Sequence, residues 1–438
     1  MIITPPDDPY YRAALAVARR LTRAGYETYF AGGAVRDAIM GNGAQDWDIA
    51  TAATPDEVEE LFDTTFPVGK EFGVVIVLES GFPFEVATFR SDGAYVDGRR
   101  PDGVVFTTPR QDVERRDFTI NGLLLAPETG EVVDYVGGVT DLRNRIIRAI
   151  GNPRARFTED KLRMLRAVRF AARFDLTWDP ATEQALMEMA RQITVVSRER
   201  IRNELQKMLT GPAPARALRD LWRLGMLEVL LPEVTALEGV EQNPLYHPEG
   251  DVLTHTFHLF DAAEVPLNPA LAWAALLHDV GKKSTAVMRK GHNTFYEHEK
   301  VGADMAASIL EELKASRALI HDVASLVRNH MKFSNVENMR VAKFKRLMAQ
   351  ELASTGVDFA SFRFSNVYGP LQDWRGEGGV IAIFCARLAK GDAPTIYGDG
   401  SQTRDFIFVG DIVGAITAAL RTGRSGLSQP VYAPDWDL

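Results

Sequence analysis

Residues 31–51 read AGGAVRDAIMGNGAQDWDIAT, and this stretch decides the fold of the first third of the chain. Gly32-Gly33 follows YETYFA, a run with the composition of a strand, and opens a segment with helical spacing. Without Cβ atoms, the two glycines let backbone N–H groups approach a phosphate closely at a helix N-terminus. Arg36 stands one turn into that helix, within reach of the same phosphate. Asp46 and Asp48 follow as an Asp-x-Asp. On a strand their side chains leave the same face, about 7 Å apart along the backbone. Two carboxylates beside a triphosphate cradle are what a pair of Mg2+ ions requires. Gly-Gly alone reads as a turn, and Asp-x-Asp alone as a solvated strand edge. In this order and this close together, they point to nucleotidyl transfer.

The flanking sequence supplies a small α+β domain around this core. YYRAALAVARRLTRA (10–24) has helical apolar spacing and is stopped by Gly25. TPDEVEELF begins with Thr-Pro and an acidic first turn, a helix N-terminus. GVVIVLES and FPFEVATFR read as adjacent strands, the second carrying Glu85 as a candidate third carboxylate or an ordinary surface residue. A polar, glycine-rich loop at 91–106 contains Arg99-Arg100, which could close over a triphosphate. In DVERRDFTINGLLL, Arg116 and Asp117 stand just ahead of an apolar run, where a helix-end salt bridge is the plain alternative to a nucleotide contact.

Length and composition bound the rest. At 438 residues the chain should hold two to four domains, and its 46% apolar content supplies their cores. No apolar run of about 18 residues suggests a membrane span. MIITPPDDPYYR lacks the basic start and apolar core of a signal peptide, and the single cysteine, Cys385, fits a reducing, cytoplasmic setting. A net charge of −9 argues against non-specific coating of nucleic acid, and no DNA partner is expected. A local basic groove remains open, because residues 141–207 carry 15 Lys/Arg against 9 Asp/Glu. All eight histidines fall between His247 and His330, which points to a separate metal-binding module.

GGAVRD, the Asp-x-Asp, RRPDGVVF, RRDFTING and EDKLRMLRAVRF occur in this order within residues 25–205. They resemble the successive motifs of the class II tRNA nucleotidyltransferase / bacterial poly(A) polymerase family. The resemblance implies a polymerase-β-like head (1–150) and an all-helical neck (151–235) that binds nucleotide and RNA. It further implies that Gly33, Arg36 and Arg116 contact the incoming ATP or CTP, and that Asp46 and Asp48 hold Mg2+. The partner would be the 3′ end of tRNA, receiving CCA with release of pyrophosphate. An A-adding or poly(A) polymerase shares every one of these motifs.

FTEDKLRMLRAVRFAARF reads as the start of an amphipathic neck helix with Thr158 as N-cap. Asp160, Arg163, Arg166 and Arg169 recur every three residues, and such a stripe is ordinarily a solvated face with i,i+3 ion pairs. Here Leu162, Leu165, Val168 and Phe170 already serve the core. An Asp and an Arg together can match the donor and acceptor pattern of a base edge. In the family this stripe resembles, Asp160 and Arg163 would select C or A as a protein template, with Arg166 and Arg169 on phosphate or ribose. SRERIRNELQKML (197–209) is expected to be a second capped basic helix supporting the RNA backbone.

Residues 236–348 read as four helices carrying His255, His278-Asp279, His298 and His330. This series resembles the HD phosphohydrolase superfamily, HDVGK being its most specific piece, and implies a second divalent-metal site. HD-type hydrolysis is therefore the alternative function of another class. The final Asp of the HD pattern is missing where it should follow, and Asp358 is the nearest candidate. From about Gln350 the sequence changes character. RFSNVYGP and GDGSQTRDFIFV resemble the C-terminal half of NAD-dependent nucleotide-sugar epimerases, so 350–438 is expected to be a partial α/β fragment. No glycine-rich dinucleotide fingerprint accompanies it, hence no NAD is expected. Tyr296 and Lys300 match the epimerase Tyr-x-x-x-Lys by spacing only, about 60 residues too early.

Overall fold

A computed structural model describes residues 1–4, 8–43, 46–92, 104–244, 247–289 and 292–333, with short pieces at 360–361, 366–368, 380–391, 406–408 and 426–427. Arg99, Arg100, Gln350 and Asp358, each given a role or a boundary above, lie outside the described residues. The chain divides into two compact units, Met1–Met331 and Lys332–Leu438.

The first unit starts with α1 (Pro9–Arg23), capped by the Asp8 carboxylate, which accepts from the Tyr11 N–H at 2.7 Å. Its buried stripe of Ala13, Ala14, Val17, Ala18 and Leu21 is the helical spacing read from the sequence, and Gly25 ends it at φ +95°. Strand β1 (Thr28–Ala31) leads into α2 (Gly33–Ile39), and β2 (Asp48–Thr51) returns antiparallel to β1. Helix α3 (Pro55–Leu61) begins with a complete Thr54/Glu57 capping box. Strands β3 (Thr65–Phe66), β4 (Val74–Glu79) and β5 (Phe82–Thr88) follow, β4 and β5 pairing antiparallel. A hairpin of β6 (Arg90–Asp92) and β7 (Val104–Phe106) precedes α4 (Pro109–Glu114). Strands β8 (Leu123–Leu125) and β9 (Val132–Asp134) complete one seven-stranded sheet, ordered β3-β4-β5-β2-β1-β8-β9. Helix α5 (Gly138–Arg143) closes the head.

From there to the hairpin at 287–294, helices dominate. The neck comprises α6 (Pro153–Glu159), α7 (Leu162–Arg173), α8 (Pro180–Met189), α9 (Arg198–Leu209), α10 (Pro214–Arg223), α11 (Met226–Leu230) and α12 (Pro232–Thr235). The single helix expected from Phe157 is in fact two. Asn152, not Thr158, caps α6, and the Thr158 hydroxyl donates back to the Arg154 carbonyl at 2.8 Å. The chain breaks at Asp160, whose backbone is extended (φ −138°, ψ 106°) and whose carboxylate accepts from the Leu162 N–H at 3.0 Å. That side chain competes with the helix for a backbone donor, which the stripe's periodicity could not reveal. Helix α9 has Ser197 at its N-cap position without a side-chain cap bond.

The histidine-rich helices are α13 (Val252–Ala262), α14 (Pro269–Leu277), the short α15 (Lys282–Thr285), α16 (His298–Glu312) and α17 (Arg317–Phe333). The four expected helices are present, with α16 starting at His298 because Phe295-Tyr296-Glu297 follows the hairpin of 287–289 and 292–294. One apolar core runs continuously from Ala13 to Val327.

In the second unit, Asn366–Tyr368 pairs in parallel with Phe406–Phe408, Ala360–Ser361 pairs with Gly426–Leu427, and Val380–Ala389 is helical.

Candidate nucleotide and metal sites

Sheet register builds the head site. Ala31 pairs with Asp48 across β1 and β2, so the residue after Ala31, Gly32, meets the first residue of β2. Gly32 has φ +74° and ψ −132°, and a Cβ there would lie 3.4 Å from Arg116 Nη1 and 3.8 Å from Asp48 Oδ2. The bare backbone, a guanidinium and a carboxylate thus meet at one point at the N-terminus of α2. Gly33 instead faces its own helix, its nearest neighbour being Arg36 Nη2 at 3.5 Å.

Asp46 and Asp48 are exposed on either side of the buried Trp47, which preserves the alternation expected of a strand although β2 itself starts at Asp48. β2 lies parallel to β5 with Ile49 opposite Val86, which brings Glu85 beside Asp48. Asp48 as a whole residue reaches solvent, but the protein around its carboxyl end pushes its pKa up to about 6; Glu85 and Asp46 add to the rise and Arg116 opposes it. Three acidic groups held together in this way favour a bound cation. Mg2+ usually takes one or two carboxylates plus substrate phosphates, so Asp46 and Asp48 suit it. Among the described residues, the groups of three close enough to ligate an ion by themselves all lie between His247 and His330.

Arg116 is held by Asp112, from Nη2 at 2.9 Å and Nε at 3.3 Å, with Nη1 also 3.4 Å from the Asn121 carbonyl. Although burial works against ionisation, Arg116 and Arg115 hold the Asp112 carboxyl below its ordinary range. The guanidinium is therefore fixed with one edge toward Gly32.

Arg36 differs from its expected placement on the phosphate. It is 4% exposed, donating to Asp37 at 2.8 Å and to the Asn121 side-chain oxygen at 2.5 Å, with its guanidinium carbon 4.3 Å above the Phe174 ring. Asn121 in turn donates to Asp117 at 3.0 Å, and Asp117 receives Arg166 Nε at 2.7 Å. One chain of bonds, Arg36–Asn121–Asp117–Arg166, thus joins the glycine motif, the RRDFTING motif and the neck. Asn121 stood in the sequence only as a member of RRDFTING, with no role of its own, and Asp117 was legible only as a salt-bridge partner.

The stripe's members are all engaged. Asp160 pairs with Arg200 at 2.8 Å and Arg163 with Glu159 at 2.7 Å. Arg163 also donates to the Arg115 carbonyl at 3.1 Å, and Arg169 pairs with Glu204 at 2.6 Å. Arg163 and Arg166 reach the head, at the Arg115 carbonyl and Asp117, whereas Asp160 and Arg169 pair within the neck, with Arg200 and Glu204. Gly32→Ala is expected to lower nucleotide affinity about tenfold, because the methyl fills the gap beside Arg116 that the phosphate would enter, and its positive φ should separately cost the fold about 1–2 kcal/mol. Nucleotide titration of the variant checks this.

In the second cluster, Asp279 is 2% exposed. It lies 3.0 Å from His278 Nε2 and 2.8 Å from Lys282 Nζ, yet neither of its oxygens receives an aligned hydrogen bond. Its Oδ1 is 3.4 Å from His298 Nε2 and 3.8 Å from His330 Nε2, and those two nitrogens are 3.2 Å apart. Separations of this size match the edges of a tetrahedron with metal–ligand bonds of about 2.0–2.1 Å. Burial pushes the His255 and His330 rings down, which keeps them neutral, as ligands must be. A buried carboxylate that receives no aligned hydrogen bond and is surrounded by imidazoles fits a divalent cation. Tyr296 and Lys300 take no part: Lys300 pairs with Glu297 at 2.5 Å and Tyr296 lies under Arg289.

Comparison with known proteins now decides the family. "Poly A polymerase head domain" matches residues 28–148 and "Probable RNA and SrmB- binding site of polymerase A" matches 175–237. The HD domain family matches 252–360 and the NAD dependent epimerase/dehydratase family 342–433. A CCA-adding enzyme of Levilactobacillus brevis is 38% identical over 71% of this chain and 73% of its own length. The Bacillus velezensis CCA-adding enzyme is 36% identical over 77% and 81%.

The chain belongs to the CCA-adding enzyme family.

Another member of that family, from Limosilactobacillus reuteri, is 44% identical over 219 residues, and the chain spans about half of its length (54%). The Bacillus stearothermophilus CCA-adding enzyme, solved in complex with CTP, superposes with a TM-score of 0.54 at 25% identity, covering 95% of this chain and 94% of the other. The Thermotoga maritima CCA-adding enzyme complexed with tRNA shares the fold, with a TM-score of 0.52 over 75% and 74% of the two chains. Among the described residues no helix is long and apolar enough to cross a membrane.

Proposed function

We propose that this chain adds or restores the 3′-terminal CCA of tRNA from CTP and ATP, with Mg2+ at Asp46 and Asp48, in the cytoplasm. The observation that carries the reading is the meeting of Gly32, Arg116 and Asp48 at one end of the sheet. Gly32 leaves room for the triphosphate at the N-terminus of α2, and Arg116, fixed by Asp112, binds the phosphate charge. Asp46 and Asp48 would hold Mg2+, whose charge would lower the pKa of the RNA 3′-hydroxyl and neutralise the departing pyrophosphate. The neck selects the base: Asp160 and Arg163 exchange Arg200 and Glu159 for the edge of C or A. Arg166, paired with Asp117 of the head, and Arg169, paired with Glu204 of the neck, would hold phosphate or ribose. Purified protein given tRNA that lacks CCA tests the reading. With CTP and ATP together it should complete CCA, whereas incorporation of A but never C would assign it to the A-adding enzymes.

Asp160→Ala or Arg163→Ala should shift the C-to-A incorporation ratio about tenfold or more, since base contacts of this kind discriminate by about 1–3 kcal/mol. An unchanged ratio from an equimolar nucleotide mixture would refute the template role. The head's affinity for Mg2+ should fall as pH drops through about 6, because the raised Asp48 carboxyl takes up a proton there. Above that pH the ionised carboxylate destabilises the metal-free fold relative to the unfolded chain, so stabilisation by Mg2+ should grow as pH rises. Thermal unfolding with and without Mg2+ from pH 5 to 8 reads both signs.

A second reading concerns the histidine-rich helices, where Asp279 favours a divalent cation able to activate water for phosphoester hydrolysis.

A further inference from the structure

Three of the histidines around Asp279 share one arrangement. His278, His298 and His330 each turn Nδ1 to the backbone carbonyl three residues earlier, at Ala275 (2.9 Å), Phe295 (2.7 Å) and Val327 (2.7 Å). That bond fixes the tautomer and leaves Nε2 as the ligand atom. The fourth, His255, also on a helix, does something else. Its Nδ1 lies 2.5 Å from Oε1 of Glu249, on the segment just ahead of α13. The same Oε1 is 3.0 Å from His247 Nδ1. His255, His278 and Asp279 bring one potential ligand atom each within 4.8 Å of one another.

We propose that Glu249 is the positioning carboxylate of this metal centre: it takes the Nδ1 proton of His255 as a hydrogen bond and so commits His255 Nε2 to the cation, with His247 holding Glu249 in place. A carboxylate in this outer position raises the basicity of the ring more than a carbonyl does, because its full charge stabilises electron donation to the metal. Glu249 touches His255 and His247, not the cation. The proposal rests on the reading of Asp279 and its histidines as a metal centre, and the test separates the two.

Full-length protein in an Asp46→Ala, Asp48→Ala background, stripped of metal, would be titrated with Co2+. Co2+ suits imidazole ligands, and removing the head carboxylates leaves the histidine cluster to be read. Glu249→Gln should weaken Co2+ binding about 10–100-fold and alter its visible ligand-field spectrum. His247→Ala should weaken it less. Asp279→Asn should abolish tight binding. Tight binding that survived Asp279→Asn would overturn the metal centre itself, whereas unchanged affinity and spectrum in Glu249→Gln alone would overturn the positioning role. A further measurement needs no variant at position 247 or 249. Long-range 15N–1H spectra of the metal-free protein should show the neutral His255 ring protonated at Nδ1, and protonation at Nε2 would contradict the proposal.

Discussion

Asp48→Ala should reduce nucleotide addition by about a thousandfold or more while leaving the metal-free protein at least as stable as the parent. The first effect follows from losing a metal ligand worth several kcal/mol of transition-state stabilisation, each 1.36 kcal/mol being tenfold in rate. The second follows from the crowding around that carboxyl. Packing, Glu85 and Asp46 all disfavour its charge, and the Arg116 guanidinium opposes them only in part. Removing the carboxylate relieves this conflict, so activity and stability should move in opposite directions, as at sites strained for function. Addition assays alongside urea unfolding at pH 7.5 would read the pair. Comparable activity in the variant would place the metal elsewhere.

Asp117→Ala should destabilise the protein by about 3 kcal/mol and impair addition as well. Asp117 is 7% exposed and accepts from the Phe118 N–H (2.8 Å), Asn121 (3.0 Å) and Arg166. Its loss strands two buried donors and unpairs Arg166, which is about one-third exposed and so recovers part of its solvation. The same change frees Asn121 from its place against Arg36, loosening α2, whose first turn forms the cradle. Burial works against ionisation of Asp117, but Arg166 and Asn121 prevail and hold its pKa below the ordinary carboxylate value. Its contribution should thus persist at neutral pH and be lost only as pH falls through that lowered value. A destabilisation below about 1 kcal/mol in urea would mean that the head–neck bond chain does not support the fold.

Local signals in the sequence carried much of the architecture. The Thr54-Pro55 cap, the apolar stripe of α1 and the alternation of β4 and β5 are decided by neighbours a few residues apart, and a chain read in order displays them. The juxtaposition of Gly32 with Asp48 was legible as proximity in sequence, but its cause, the Ala31–Asp48 register, is a property of the folded sheet. Arg36 illustrates what was hidden. Its position one turn past the glycines suggested a phosphate contact, and only the packing of Phe174 and Asn121 from distant segments shows where its guanidinium is buried. Asp160 was visible as one tooth of a charged stripe, whereas its bond to the Leu162 N–H, which ends one helix and starts the next, depends on a side-chain rotamer. Glu249 had no motif to mark it, since its role comes from reaching His255 and His247 in space.

A crystal structure of the full chain with CTP and Mg2+ should show the triphosphate between Gly32 and Arg116, Mg2+ on Asp46 and Asp48, and the cytosine edge on Asp160 and Arg163 after these have released Arg200 and Glu159. An ordered CTP whose base lies elsewhere, with Arg163 still paired to Glu159, would contradict it.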